Sequence, residues 1–467
     1  MKVSNIFKCA LFILLFSSGV LSAQPLLTDQ DLVITMGNSI TELGEMPDGY
    51  VSIMRKMMRT LYPERTVYFI NAGISGHKST DMNARFRRDV LQYRPKWVII
   101  NVGVNDVWHG FMDNHPVGDG PRGVGLALFS DQVTEMVTSA KDKGIKVMLT
   151  TATVIKEDLS SPENTKLAHY NTALRKIAKK HNCPLADLDA AFRSLLEPSQ
   201  RKGMSDRGQL TYDGVHMLPA GDWLMAETLL EAFRVPAEYI ETSRPKVEEL
   251  IRKDKEALTK SLSRYEEVNY EVGMPRDGEK RIVFFGSSSV DGWNLARDFP
   301  NLPFLNRGIG GETTRHMLLR FRQDVIDLKP EAVILFYGSC NDFWPFFRMC
   351  TSETRANTIK LIRMAQGNGI RVALGAISPV NNYLPGKDYI TSHPLVEVNA
   401  LNAWMKTTAE SLDCAYIDFY SAVADSNGQL DRTMTDDGMH CNEAGYAKWK
   451  QVLVPALKEM DLWVDEQ

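Results

Sequence analysis

The feature that most constrains this chain is that it repeats itself. Arg85-Phe86-Arg87-Arg88-Asp89-Val90 returns as Arg320-Phe321-Arg322-Gln323-Asp324-Val325. Each copy is followed by a proline, an apolar run and then a glycine leading to Asn-Asp. That last block is Gly103 to Asp106 in the first half and Gly338 to Asp342, one residue longer, in the second. Asp213-Gly214-Val215-His216 is answered by Asp437-Gly438-Met439-His440. Several matches in one order over about 200 residues mean a duplicated domain, not a solenoid of short units.

The two halves also share an alternation of elements. Short apolar runs rich in Val and Ile fall at 31–36, 67–71, 97–102, 145–151 and 184–188. The second half offers 281–285, 304–306, 332–337, 370–376 and 415–419. Segments of helical spacing lie between them, such as Tyr50 to Leu61 and Thr358 to Ala365. Strands that are apolar throughout, without alternation, belong to parallel sheets covered on both faces. Strands alternating with helices make each half a three-layer α/β domain. Between the halves, residues 236–278 are highly charged, but Val247, Leu250, Ile251, Leu258, Leu262 and Tyr265 recur at helical spacing. This reads as an amphipathic linker helix on a domain surface, with a solvated spacer as the alternative. Gly273 to Gly278 ends it as a loop.

The first residues read as an export signal. Lys2 and Lys8 precede and border an apolar run, and Leu21-Ser22-Ala23 offers a small-residue cleavage site. The expected organisation is a signal peptide at 1–23, domains at 24–235 and 279–467, and a linker at 236–278. The signal points to a periplasmic or secreted protein. No later stretch is long and apolar enough for a membrane span, and a net charge of -4 argues against a general nucleic-acid binder. Five cysteines follow the signal: Cys183, Cys340, Cys350, Cys414 and Cys441. An odd number without CxxC spacing indicates neither a disulfide framework nor a zinc site. Whether Cys340 and Cys441, each beside a candidate site residue, approach one another stays open.

Ligands of open parallel sheets sit at the carboxyl ends of the strands, so the residues after each apolar run are the candidates. Gly37-Asn38-Ser39 follows the first run, and Gly286-Ser287-Ser288-Ser289 follows its counterpart. A serine on such a turn suits attack on a carbonyl, although alone it is more often a helix N-cap. Gly73 and Gly308 follow the second run, where glycine lets the backbone approach a ligand. Asn105 and Asn341 follow the third, and an Asn amide can donate to a developing oxyanion. His216 and His440 near the ends of the halves are candidate bases, with Asp213 and Asp437 three residues upstream to orient them.

Each signal is weak alone, but the set occurs twice in the same order. The pattern resembles the GDSL, or SGNH, hydrolase family, named for blocks contributing Ser, Gly, Asn and His. The resemblance implies two tandem flavodoxin-like α/β/α domains with five-stranded parallel sheets. It implies Ser39 and Ser288 as nucleophiles, His216 and His440 as bases, and Asp213 and Asp437 as their partners. The oxyanion hole would combine each serine N–H with Gly73 or Gly308 and Asn105 or Asn341. No cofactor or metal is implied. The family's Asp before the serine is Asn38 in one half and Ser287 in the other, and Ser287 and Ser289 remain alternatives to Ser288. Gly-x-Ser-x-Gly is absent at both serines, which argues against the α/β-hydrolase fold.

The expected reaction is acyl transfer to water, with an O-acetyl group on an oligo- or polysaccharide as the preferred substrate. Aromatic residues after the third block, Trp108 and Phe111 or Phe343, Trp344 and Phe346, could pack on sugar rings. A lipase or arylesterase, or one active domain beside a non-hydrolytic glycan-binding one, are the alternatives. The first half keeps the family pattern more closely. The oligomeric state is not legible.

Overall fold

A computed structural model describes residues 24–200 and 205–463; the expected export signal lies outside them. Two sheets of five parallel strands form the centre of the molecule. The first comprises β1 (Leu32–Gly37), β2 (Tyr68–Gly73), β3 (Trp97–Ile100), β4 (Lys146–Thr150) and β5 (Leu185–Ala186). The second comprises β6 (Ile282–Gly286), β7 (Phe304–Gly308), β8 (Ala332–Phe336), β9 (Arg371–Gly375) and β10 (Ala415–Ile417). Their spatial orders, β2-β1-β3-β4-β5 and β7-β6-β8-β9-β10, are the same order built twice. Helices flank both sheets, so β3 and β8 are buried along their whole length, as continuous apolar strands require. The two-domain α/β architecture is the expected one.

The chain runs from β1 out to the edge strand β2 and returns to β3 on the other side of β1. That reversal opens a crevice at the carboxyl end of β1, and the same happens at β6. Two strands end later than the apolar runs indicate. β2 and β7 continue through Asn71-Ala72-Gly73 and Asn306-Arg307-Gly308, with Gly73 paired to Gly37 and Gly308 to Gly286. These residues are ladder, not turn, because the partner strand extends equally far.

The charged stretch between the domains forms the helices Ala237–Ser263 and Glu266–Val272. Val247 and Ile251 are buried, and the first helix packs on the helix Tyr50–Leu61. Burying two such side chains contributes roughly 1.5–3 kcal/mol each, which a solvated spacer would forgo. The far end lies on the second domain, where Tyr265 Oη donates to the Gly308 carbonyl at 2.5 Å and Arg264 pairs with Asp291 at 2.9 Å. The domains also meet directly. The second domain's helix Thr351–Gln366 lies against β2, with Ala356 packed on the first core. Arg348 donates to the carbonyls of Arg65 and Pro63 at 3.1 and 2.8 Å.

Candidate active site

Each candidate serine opens a short helix directly after a central strand. In the first domain the helix is Ser39–Leu43, and Asn38 Oδ1 caps it by accepting from the Ile40 N–H at 3.1 Å. Asn thus performs the capping that an Asp would. In the second domain the helix is Ser288–Asp291. Ser287 Oγ instead donates to the Tyr337 carbonyl at 2.8 Å, and both Ser287 and Ser289 are buried. Of the three consecutive serines, Ser288 alone hydrogen-bonds His440.

The histidines arrive from the other end of each domain. His216 Nε2 lies 2.8 Å from Ser39 Oγ, and His440 Nε2 lies 3.0 Å from Ser288 Oγ. On the far side of each ring, Nδ1 lies 2.6 Å from Asp213 Oδ2 and 2.7 Å from Asp437 Oδ2. A carboxylate there accepts the Nδ1 proton and turns the Nε2 lone pair toward the serine. The other oxygen, Oδ1, accepts the backbone N–H groups of Val215 and His216 in one domain, and of Met439 and His440 in the other. Burial pushes Asp213 upward, but the hydrogen bonds from His216 and the two amides outweigh it and hold its pKa below the ordinary value. The same balance leaves Asp437 at about 2. The intervening glycine has a physical reason. Gly214 and Gly438 sit at φ +94° and +90°, where a side chain would be strained.

The structure brings Asn105 and Asn341 to the same end of the sheets, and both side chains are oriented from outside the helix that carries them. Asn105 Nδ2 donates to the His77 carbonyl at 3.1 Å and Asn341 Nδ2 to the Glu312 carbonyl at 2.8 Å. The following acids are anchors. Asp106 accepts the Ser79 N–H at 2.9 Å, and burial raises its pKa to about 6. Asp342 does the same for Thr314.

Gly73 and Gly308 require a correction. Their N–H groups donate to Asn71 Oδ1 and Asn306 Oδ1, each at 2.9 Å, so neither amide is directed at the serine. Glycine is needed there for packing, since a Cβ would stand 2.1 Å from the backbone nitrogen of Glu42 or Asp291. The turn that reaches the serine is the next one. A Cβ on Gly310 would lie 3.7 Å from Ser288 Cβ. In that turn Ser75 N–H is held by Glu42 Oε2 at 2.7 Å and Gly310 N–H by Asp291 Oδ2 at 3.0 Å. Gly76 and Gly311, at φ +78° and +84°, face open space, and their amides have no acceptor among the described residues.

Two further groups were given no role in the site by the sequence. Arg85, from the strongest repeat, donates to the carbonyls of Gly37 and Ala72, both at 2.8 Å, and pairs with Asp89. Arg320 repeats this with Gly286, Arg307 and Asp324. The repeat is therefore a brace across the carboxyl ends of the serine-bearing strand and the edge strand beside it. Glu157, buried in the first domain, accepts from the amides of Leu210 and Thr211, both at 2.6 Å, and of Gln209 at 2.9 Å. It holds the segment leading to Asp213, and no periodicity or motif marks it.

The walls differ between the two sites. Tyr212, 52% exposed, stacks on His216 at 5.7 Å and 19°. In the second domain Trp344 stacks with Phe346, which is 58% exposed, and meets Tyr389 edge-on at 6.2 Å. A Cβ on Gly438 would lie 3.4 Å from Tyr389, so this aromatic wall abuts the His440 turn. Trp108 packs instead against the first core. The five cysteines are free, Cys340 and Cys441 included. Among the described residues no group of His, Cys, Asp and Glu is arranged to hold a metal, and no helix is long and apolar enough to cross a membrane.

Two doubly wound α/β domains, each with Ser, His and Asp joined at the carboxyl end of the sheet, define a carboxylic ester hydrolase. The model of the GDSL-like lipase/acylhydrolase family matches residues 35–224 and 281–448, and the chain belongs to that family. It is 27% identical to an acetylxylan esterase of Geobacillus stearothermophilus over 213 residues, spanning 42% of this chain and 91% of the relative. It is 28% identical to the platelet-activating factor acetylhydrolase IB subunit alpha2 of Rattus norvegicus, spanning 37% and 74% of the two chains. Among solved structures, the acetyl xylan esterase AlAXEase is 32% identical, spanning 43% of this chain and 98% of its own, with a TM-score of 0.39.

Proposed function

We propose that both domains, 24–235 and 279–467, hydrolyse acetyl esters on carbohydrate through a serine acyl-enzyme. Ser39 or Ser288 attacks the ester carbonyl while His216 or His440 takes its proton. Asp213 or Asp437 stabilises the imidazolium. The alcohol leaves with that proton, and a water molecule, deprotonated by the same histidine, releases acetate and restores the serine. The serine N–H, the Asn105 or Asn341 amide and the Gly76 or Gly311 N–H are the donors to the oxyanion.

The observation that carries this reading is the Ser–His–Asp hydrogen-bond chain, present in both domains with serine–histidine distances of 2.8 and 3.0 Å. Acetyl as the acyl group is supported by the relatives, whose names share it. Carbohydrate as the alcohol is supported by the acetylxylan esterases and by the exposed aromatic faces of Tyr212 and Phe346. Export follows from the reading of residues 1–23 as a signal peptide.

The test is acetate release from acetylated xylo-oligosaccharides by the wild type, Ser39→Ala, Ser288→Ala and the double variant. Each single variant should retain part of the activity and the double variant almost none. Complete loss in one single variant would overturn the two-site reading. Faster hydrolysis of octanoyl than of acetyl nitrophenyl ester would overturn the acetyl assignment.

A further inference from the structure

Between the domains, beside the linker helix, lies a cavity of about 130 Å³. The first domain's helix Tyr50–Leu61, the linker helix and the second domain's helix Thr314–Asp324 all contribute to its wall. None of the candidate catalytic residues lines it. Its lining is strongly cationic: Arg55, Lys56, Arg59, Arg65, Arg315 and Arg348 face only two carboxylates, Glu45 and Asp254.

The ion pairs do not balance this set. Glu45 is shared by Arg55 at 2.9 Å and Arg315 at 3.5 Å, and Asp254 pairs with Lys56 at 2.8 Å. Glu353 and Glu64 reach Arg315 and Arg65 at 2.6 and 3.4 Å without themselves lining the cavity. Even with these, six cations meet four carboxylates. Arg348 donates to backbone carbonyls, with Asp29 near enough to feel its charge, and Arg59, which is exposed, has no ion-pair partner among the described residues. Arg55 Nε is buried without a hydrogen-bond partner. His316 also lines the space, but burial holds its pKa down at about 4, so it adds no charge at neutral pH.

Arg59 and Arg348 therefore keep donor groups beside the cavity that no ion pair occupies, and an anion entering it can accept from them. The space is several times what a single water molecule needs, enough for a tetrahedral oxyanion. Guanidinium forks match the oxygens of such an ion, and a double negative charge complements a lining of six cations and two carboxylates. We propose that this interdomain cavity binds a small doubly charged tetrahedral oxyanion, inorganic phosphate or sulfate, which ties the two domains and the linker helix together.

The test is the thermal midpoint of the full chain, at ionic strength held constant with sodium chloride, as phosphate, sulfate or acetate replaces chloride. Phosphate and sulfate should raise the midpoint saturably by a few degrees, and acetate should not. Arg59→Gln combined with Arg348→Gln should abolish the rise. Ala257→Glu, on the exposed linker face of the cavity, should raise the midpoint in chloride and remove the phosphate response. That second variant decides the matter if the first fails to fold. Equal midpoints in phosphate and chloride, a rise as large with acetate, or a phosphate response that survives in Ala257→Glu would each overturn the proposal.

Discussion

Arg85 Nη2 donates to the carbonyl oxygen of Gly37 at 2.8 Å, which ties the most visible sequence repeat to the residue two positions before Ser39. The guanidinium is almost wholly buried, and its removal would leave Asp89 to Arg88 alone and take a donor from two strand-end carbonyls. Arg85→Ala should therefore destabilise the first domain by about 1–3 kcal/mol. Arg85→Lys should recover only part of this, because an ammonium cannot span both carbonyls. Arg320→Ala should cost at least as much, since Asp324 is completely buried. Urea denaturation followed for each domain checks these values.

Glu157 offers a separate handle on the first site. Glu157→Ala would strand the amides of Leu210 and Thr211, a cost of about 1–3 kcal/mol for each buried group. In a Ser288→Ala background, kcat should fall because the Asp213–His216 turn loses its support. Glu157→Gln, which keeps one acceptor oxygen, should lie between the wild type and the alanine variant. An unchanged kcat in both variants would mean that the turn is held by other contacts.

Asn105→Ala, again with the second site silenced, should lower kcat by about 100- to 1000-fold with little change in KM, the pattern of a donor used in the transition state. Steady-state kinetics on nitrophenyl acetate separates the two constants.

Asp222 makes the molecule less stable as pH rises from acid to about 8. Its Oδ1 accepts the Tyr50 N–H that begins the helix Tyr50–Leu61, and burial raises its pKa to about 8. A carboxyl whose folded pKa is raised contributes stability below its unfolded value, near 4, and that contribution is lost as pH climbs to about 8. Asp222→Asn keeps the acceptor oxygen and cannot ionise. Its urea midpoint should change less than the wild type's between about pH 5 and about pH 9.

Trp344→Ala should raise KM for acetylated oligosaccharide in a Ser39→Ala background while leaving nitrophenyl acetate hydrolysis nearly unchanged. The aromatic wall lies beside the His440 turn, and Trp344 is part of the wall, not of the hydrogen-bond chain. Equal loss on both substrates would make Trp344 a structural residue only.

The sequence alone determined the duplication, the parallel five-stranded sheets and the pairing of Asp213 with His216 and of Asp437 with His440. These properties are encoded locally: an apolar run buried on both faces needs no distant partner to be recognised, and Asp-Gly-x-His carries its own hydrogen bonds within four residues. Tertiary structure decided what depends on distant chain segments. Gly73 lost its expected role because β1 runs long enough to keep it in the ladder, where its amide meets Asn71. Ser288 separated from its neighbours because Tyr337, fifty residues away, engages Ser287. The arginine repeat was visible from the start, but its purpose was not, since it joins the strand just before its helix to β1 or β6, a distant segment of chain. The cationic seam was invisible, because its charges come from two domains and a linker that only folding brings together.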